Sequence, residues 1–136
     1  HDVCLYGANI DGLDENVHYL CNSGVVIDGV KYYGVPMFME DCISDRQSRN
    51  YAAVPTNTDV LITHCPPYGI LDFDDELNYG STELLARIKE IKPRLHLFGH
   101  IHKQHGVKED GPTIFSNGSI MNEDYTNFNL PNLIEI

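Results

Sequence analysis

The chain has 136 residues, 42% hydrophobic and 21% charged, which suits one soluble globular domain with a real core. Its formal net charge of -11 disfavours nucleic acid and anionic membranes as partners, unless a bound cation reverses the sign locally. No apolar run is long enough to span a bilayer and no signal peptide is evident, so the expected location is cytoplasmic.

Residues 1–16 read as a polar loop, and 17–20 as a short strand. The runs 25–27 and 30–33 flank Asp28-Gly29, the signature of a hairpin with a tight primed turn. Residues 40–50 are polar and predict loop or short helix. The apolar run 59–63 predicts a buried strand. Residues 66–79 predict a loop carrying Asp72, Asp74, Asp75 and Glu76. Ser81 is placed to cap a helix over 82–92, with Leu84, Leu85, Ile88 and Ile91 on one face and Pro93 as the stop. A strand over 95–98 follows. Runs 105–108 and 113–116 flank Asp110-Gly111-Pro112 and predict a second hairpin. Asn117-Gly118-Ser119 reads as a turn or bulge, and 133–136 as a closing strand. Strand 59–63, helix 82–92 and strand 95–98 form a βαβ unit, expected to be parallel and right-handed. The fold class is α/β, a mixed β-sheet with flanking helices, in a single domain over 1–136.

Chemistry concentrates at two strand ends. Thr63-His64-Cys65-Pro66-Pro67 follows one apolar strand, and Phe98-Gly99-His100-Ile101-His102 follows its parallel neighbour. Open α/β sheets bind ligands at such ends. Gly99 would allow close backbone approach, and the two prolines would stiffen the loop after His64. His64, His100 and His102 are therefore candidate metal ligands, and neutral imidazole suits Zn, Mn, Fe or Ni. His18, His96 and His105 are assigned ordinary surface or core roles. Cys4, Cys21, Cys42 and Cys65 lack CxxC spacing and read as reduced thiols, with Cys65 shaping the backbone.

The Thr-His-Cys-Pro-Pro and Gly-His-Ile-His motifs, in this order, resemble the last two motifs of the calcineurin-like metallophosphoesterases. His1-Asp2 resembles the end of that family's Gly-Asn-His-Asp/Glu motif. The helix from Glu83, Pro93 and Asn117-Gly118-Ser119-Ile120 match the family's order of elements in its second half. The resemblance covers nearly the whole chain. It implies a metal-dependent phosphoesterase that attacks phosphorus in line with a water shared by two divalent ions, Mn, Fe or Zn. By the same resemblance His64 and His100 are ligands of the second metal and His102 of the first. His1 corresponds to the histidine that protonates the leaving oxygen, and Asp2 to the carboxylate that orients it.

The family's opening motifs, which carry the bridging Asp and further ligands, have no counterpart here. The chain thus resembles the C-terminal part of such a domain, half of an αββα sandwich, expected to hold at most one metal and to be inactive alone. Its expected partners are a phosphate-ester substrate, the missing N-terminal half and, through the exposed sheet face, a second copy of itself. The alternative is a non-catalytic half-domain that binds one metal or a partner protein. A third reading is a structural α/β domain whose histidines only cap strand ends. With no initiating Met, His1 is expected to be a processing site or a cut in a longer chain.

Overall fold

The structure, a computed structural model, describes residues 12–136. Local turn chemistry sets the first elements. Strands β1 (Ser23–Ile27) and β2 (Val30–Val35) pair antiparallel, with Ile27 opposite Val30. Asp28 and Gly29 between them have φ of +50° and +83°, the positive pair that a primed two-residue turn requires. Two short helices follow, α1 (Met39–Ile43) and α2 (Arg46–Ala52). The buried carboxylate of Asp41 joins them by accepting from Arg46 Nε at 2.8 Å and Asn50 Nδ2 at 2.9 Å.

Strand β3 (Val60–Thr63) leads into the segment expected to be loop. Within it a two-residue hairpin forms, β4 (Phe73–Asp74) with β5 (Leu77–Asn78). Helix α3 (Thr82–Ile91) starts where Ser81 Oγ accepts from Leu84 N at 3.1 Å, and it ends as Lys92 turns left-handed before Pro93. Strand β6 (Leu95–Phe98) leaves α3 and pairs parallel with β3, with Ile62 opposite Leu97. Strands β7 (Gly106–Asp110) and β8 (Thr113–Asn117) form the second hairpin, and β8 pairs parallel with β6. The six strands make one mixed sheet in the order β1-β2-β3-β6-β8-β7.

Side chains alternate across this sheet. Val35, Leu61, Phe98 and Phe115 point to the helical side. There they pack with Tyr51, Val54, Leu84, Ile88 and Ile91 as the main core. The opposite face carries the register row Gly34, Ile62, Leu97 and Ser116.

Two predicted strands are not strands. Residues 17–20 lack strand structure: Val17 N donates to Asp14 O in a turn, and Leu20 lies against Gly34 on the far face, so close that a Cβ on Gly34 would come within 2.5 Å of Leu20 Cβ. Residues 133–136 do not pair either, and β8 has β6 on one side and β7 on the other. Leu133 is 95% exposed. The chain before it is tied by side chain rather than by ladder: Asn132 Nδ2 donates to Ser116 Oγ at 2.9 Å and Asn117 O at 3.0 Å. Residues 19–20 and 129–132 thus lie along the far face as irregular straps. No helix among the described residues is long and apolar enough to cross a membrane.

Candidate metal site at the strand ends

The parallel pairing of β3 and β6 continues one step beyond the strands, where Gly99 N donates to His64 O at 3.1 Å. That bond holds the two histidine motifs side by side. His64 Nε2 and His100 Nδ1 lie 3.2 Å apart, and their rings are tilted at 51° with centroids 5.0 Å apart. Two nitrogens bound about 2.0–2.1 Å from one ion would be separated by about 2.8–3.4 Å at bond angles of about 90–109°. The observed separation falls inside that range. The pair fits as two ligands of a single divalent cation.

The turn carrying His100 is strained. Ile101 N donates to Gly99 O at 3.0 Å, closing a three-residue turn with His100 at its apex, and His100 has φ +75°. Such a turn around a non-glycine residue is rare, and strain of this kind clusters at ligand-binding sites. The positive φ falls on His100 itself and not on Gly99. A Cβ on Gly99 would meet Ser119 Oγ at 3.6 Å, an ordinary contact. Partial burial, and then the neighbouring His102, hold the His100 imidazole below its usual pKa, which favours the neutral form a metal requires.

His102 stands apart from this pair. Its Nδ1 lies 3.3 Å from Asn122 O, and its ring meets Tyr125 edge-on at 5.0 Å. Among the described residues, His64, His100 and His102 do not bring three ligand atoms within 4.8 Å of one another. His1 and Asp2, the expected acid pair, lie outside the described residues, as does Cys4. Cys21, Cys42 and Cys65 form no disulfide among the described residues. Cys65 Sγ contacts Met37 Sδ at 2.9 Å.

The loop after His64 is packed into the protein and tied to α3. Pro66 and Pro67 are fully buried, and Tyr68 N and Ser81 O, with Ser81 N and Pro66 O, bond the loop to the start of α3 at 3.0 and 3.1 Å. Gly80 makes the approach feasible, since a Cβ there would lie 2.4 Å from Pro67 O. A cleft of about 260 Å³ opens beside His64, between Gly34, Ile62 and the strap residues Tyr19 and Leu20.

The acidic loop borders this edge, an outcome that spacing could not fix. Asp74, Asp75 and Glu123 bring their carboxylates together closely enough to hold a metal ion. Lys103, adjacent to His102, puts its Nζ 2.6, 2.6 and 2.7 Å from these three carboxylates. Their hydrogen bonds raise the lysine's pKa well above its ordinary value. A tethered ammonium thus neutralises part of the acidic charge. Nothing in the local sequence marks the partnership, which joins residues 28 apart for Asp75.

No family profile matches the chain. Two of the named proteins to which it is similar define the comparison. One is UPF0046 protein K07C11.7 of Caenorhabditis elegans, 41% identical over 117 residues, 79% of this chain and 39% of that protein. The other is human Metallophosphoesterase domain-containing protein 1, 34% identical over 138 residues, 94% of this chain and 42% of that protein. The chain spans less than half the length of these curated relatives. One solved crystal structure shares the fold with a TM-score of 0.54 at 20% identity, over 74% of this chain and 45% of that one. These relatives support a metallophosphoesterase-like family, and the sheet with its flanking helices is consistent with half of that kind of sandwich.

Proposed function

We propose that the chain is the C-terminal part of a metal-dependent phosphoesterase domain of the metallophosphoesterase-like family, with His64 and His100 holding one divalent cation. The observation that carries this reading is the 3.2 Å separation of two imidazole nitrogens delivered by adjacent parallel strands. His102, on the next turn, is the ligand assigned to a second ion. Such ions, when bound, supply Lewis-acid polarisation and a water acidic enough to attack a phosphate ester. The metal is Mn, Fe or Zn by donor chemistry. His1 and Asp2 are assigned the proton donor and its orienting carboxylate. A chain with one half-site binds metal without turnover, and hydrolysis belongs to a longer protein that carries the first half of the domain.

The test is titration of the 136-residue chain with zinc or manganese. The wild type is expected to take up one ion. His64→Ala and His100→Ala are each expected to weaken binding by at least the roughly 10–100-fold that loss of a mere supporting partner costs. Unchanged affinity in both variants would leave only a structural role for these histidines.

The far sheet face belongs to the same reading. The straps leave part of it open, and Ile62 is 36% exposed. We assign this area to the upstream half of the domain and, in the isolated chain, to a second copy. Light scattering across a concentration series is expected to show a dimer. A monodisperse monomer at high concentration would remove that assignment. The second reading, a half-domain that binds one metal or a partner protein without catalysis, is favoured by the convergence of only two histidines among the described residues. Phosphatase assay of the longer protein separates the two.

A further inference from the structure

His96 does not reach the strand-end site, yet it is wired to it. The side chain is fully buried in β6, with Phe98 and Phe115 rings 4.8 and 5.8 Å from its own. Its Nε2 lies 2.9 Å from Thr63 Oγ1, at the end of β3. The Thr63 hydroxyl donates to Cys65 O at 2.6 Å. A hydroxyl has one hydrogen, and it is committed to that carbonyl. Thr63 Oγ1 is therefore an acceptor toward His96, and Nε2 carries the ring proton. This leaves Nδ1 as a bare lone pair. It is buried and has no hydrogen-bond partner.

A buried acceptor without a partner is costly. An apolar side chain would fill the same aromatic surroundings without that cost. Packing thus gives no reason for an imidazole at this position. What the imidazole does supply is one N–H, which leaves the Thr63 hydroxyl free to point only at Cys65 O. Thr63 and Cys65 flank His64. The bond between them spans His64, whose Nε2 lies 3.2 Å from His100 Nδ1.

We propose that His96 is a positioning residue for His64: its Nε2–H orients the Thr63 hydroxyl onto the Cys65 carbonyl and so sets the His64 ring against His100. The inference rests on the reading of His64 and His100 as metal ligands, but the positioning itself is a property of the metal-free chain.

Three variants of the 136-residue chain test it: His96→Leu, Thr63→Val and His96→Gln. Glutamine keeps an N–H donor near the Nε2 position, and the other two remove one end of the relay. Zinc affinity is read by titration calorimetry, ring-nitrogen resonances by NMR and folding by thermal melts. The wild type is expected to show His96 as the Nε2–H tautomer at neutral pH. His96→Leu and Thr63→Val are expected to lose about 10–100-fold in zinc affinity, the range for outer-shell partners, while His96→Gln stays within about threefold of wild type. His96→Leu should melt no lower than wild type, which a purely structural role would not allow. If His96→Leu fails to fold, Thr63→Val decides.

An Nδ1–H tautomer in the wild type would overturn the inference. So would wild-type zinc affinity in a folded Thr63→Val variant. Should the wild type bind no zinc, the metal reading fails by itself. The positioning is then judged on the His64 ring resonances, which must shift in both His96→Leu and Thr63→Val and stay in place in His96→Gln.

Discussion

Lowering the pH from about 7.5 to about 4.5 is expected to destabilise the wild-type chain by about 2–3 kcal/mol more than it destabilises His96→Leu. The cause is burial. Desolvation pushes the His96 imidazole down from its ordinary 6.5 to about 3. In the unfolded chain the same ring titrates near its ordinary value. Between these two pKa values the unfolded state binds a proton that the folded state refuses, so stability rises with pH across the window. The contribution is fully present above about pH 6.5 and is lost progressively as the pH falls toward about 3. The groups facing the ring are the Thr63 hydroxyl and two aromatic rings. None can compensate an imidazolium. Carboxylates elsewhere also respond to acid, but they do so equally in both proteins. Denaturant midpoints at several pH values, compared between wild type and His96→Leu, isolate the histidine. Parallel curves would show that the ring is solvated or paired in the folded state.

Much of the fold could be read from the chain because its signals are local. Asp28-Gly29 specifies a turn from two residues. Ser81 caps α3, and Leu84, Ile88 and Ile91 bury one face of it, from a single short window. The parallel βαβ order then brings His64 and His100 to one edge. That edge was visible as two motifs after two apolar strands. Alternation alone misled at 17–20 and 133–136, because a strand also needs a ladder with a neighbouring strand, and neither segment forms one. Apolar residues there found burial or exposure without a ladder.

The finer features of the site were hidden because they depend on partners distant in sequence. Thr63 and His96 are 33 residues apart, and neither is unusual in its own strand. An ordinary surface or core role for His96 narrows to the core once its burial is known, and its tautomer follows only from where the Thr63 hydroxyl points. The strained turn at His100 depends on its own backbone, which Gly99-His100 disguises by offering a glycine one position earlier. The Lys103 clamp draws carboxylates from two separate loops.

Asn117→Leu is expected to cost about 3 kcal/mol or more, and to take metal binding with it. Asn117 ends β8 and is fully buried. Its Nδ2 donates to Ile101 O at 2.8 Å and lies 3.4 Å from Leu71 O. Its Oδ1 accepts from Ser119 N at 3.1 Å and Ser119 Oγ at 2.8 Å. One side chain thus joins the 71 loop, the turn between His100 and His102 and the start of the C-terminal segment. Leucine fills a similar volume and satisfies none of these groups. Each buried group left bare costs about 1–3 kcal/mol, and the losses fall on one network. Asn117→Asp keeps the acceptor for Ser119 but turns a carboxyl toward two carbonyls, so it should fall between leucine and wild type only when protonated. The contrast with His96 sharpens the expectation. Loss of His96 should weaken zinc binding while the melt holds, because the imidazole carries its own unpaired atom. Loss of Asn117 should lower both together, because every polar atom of its amide is used. Equilibrium denaturation and zinc titration on the same samples give both numbers. A stable Asn117→Leu variant that still binds zinc would mean that the Ile101 carbonyl finds water or another donor, and that the His100 turn holds its shape without the amide.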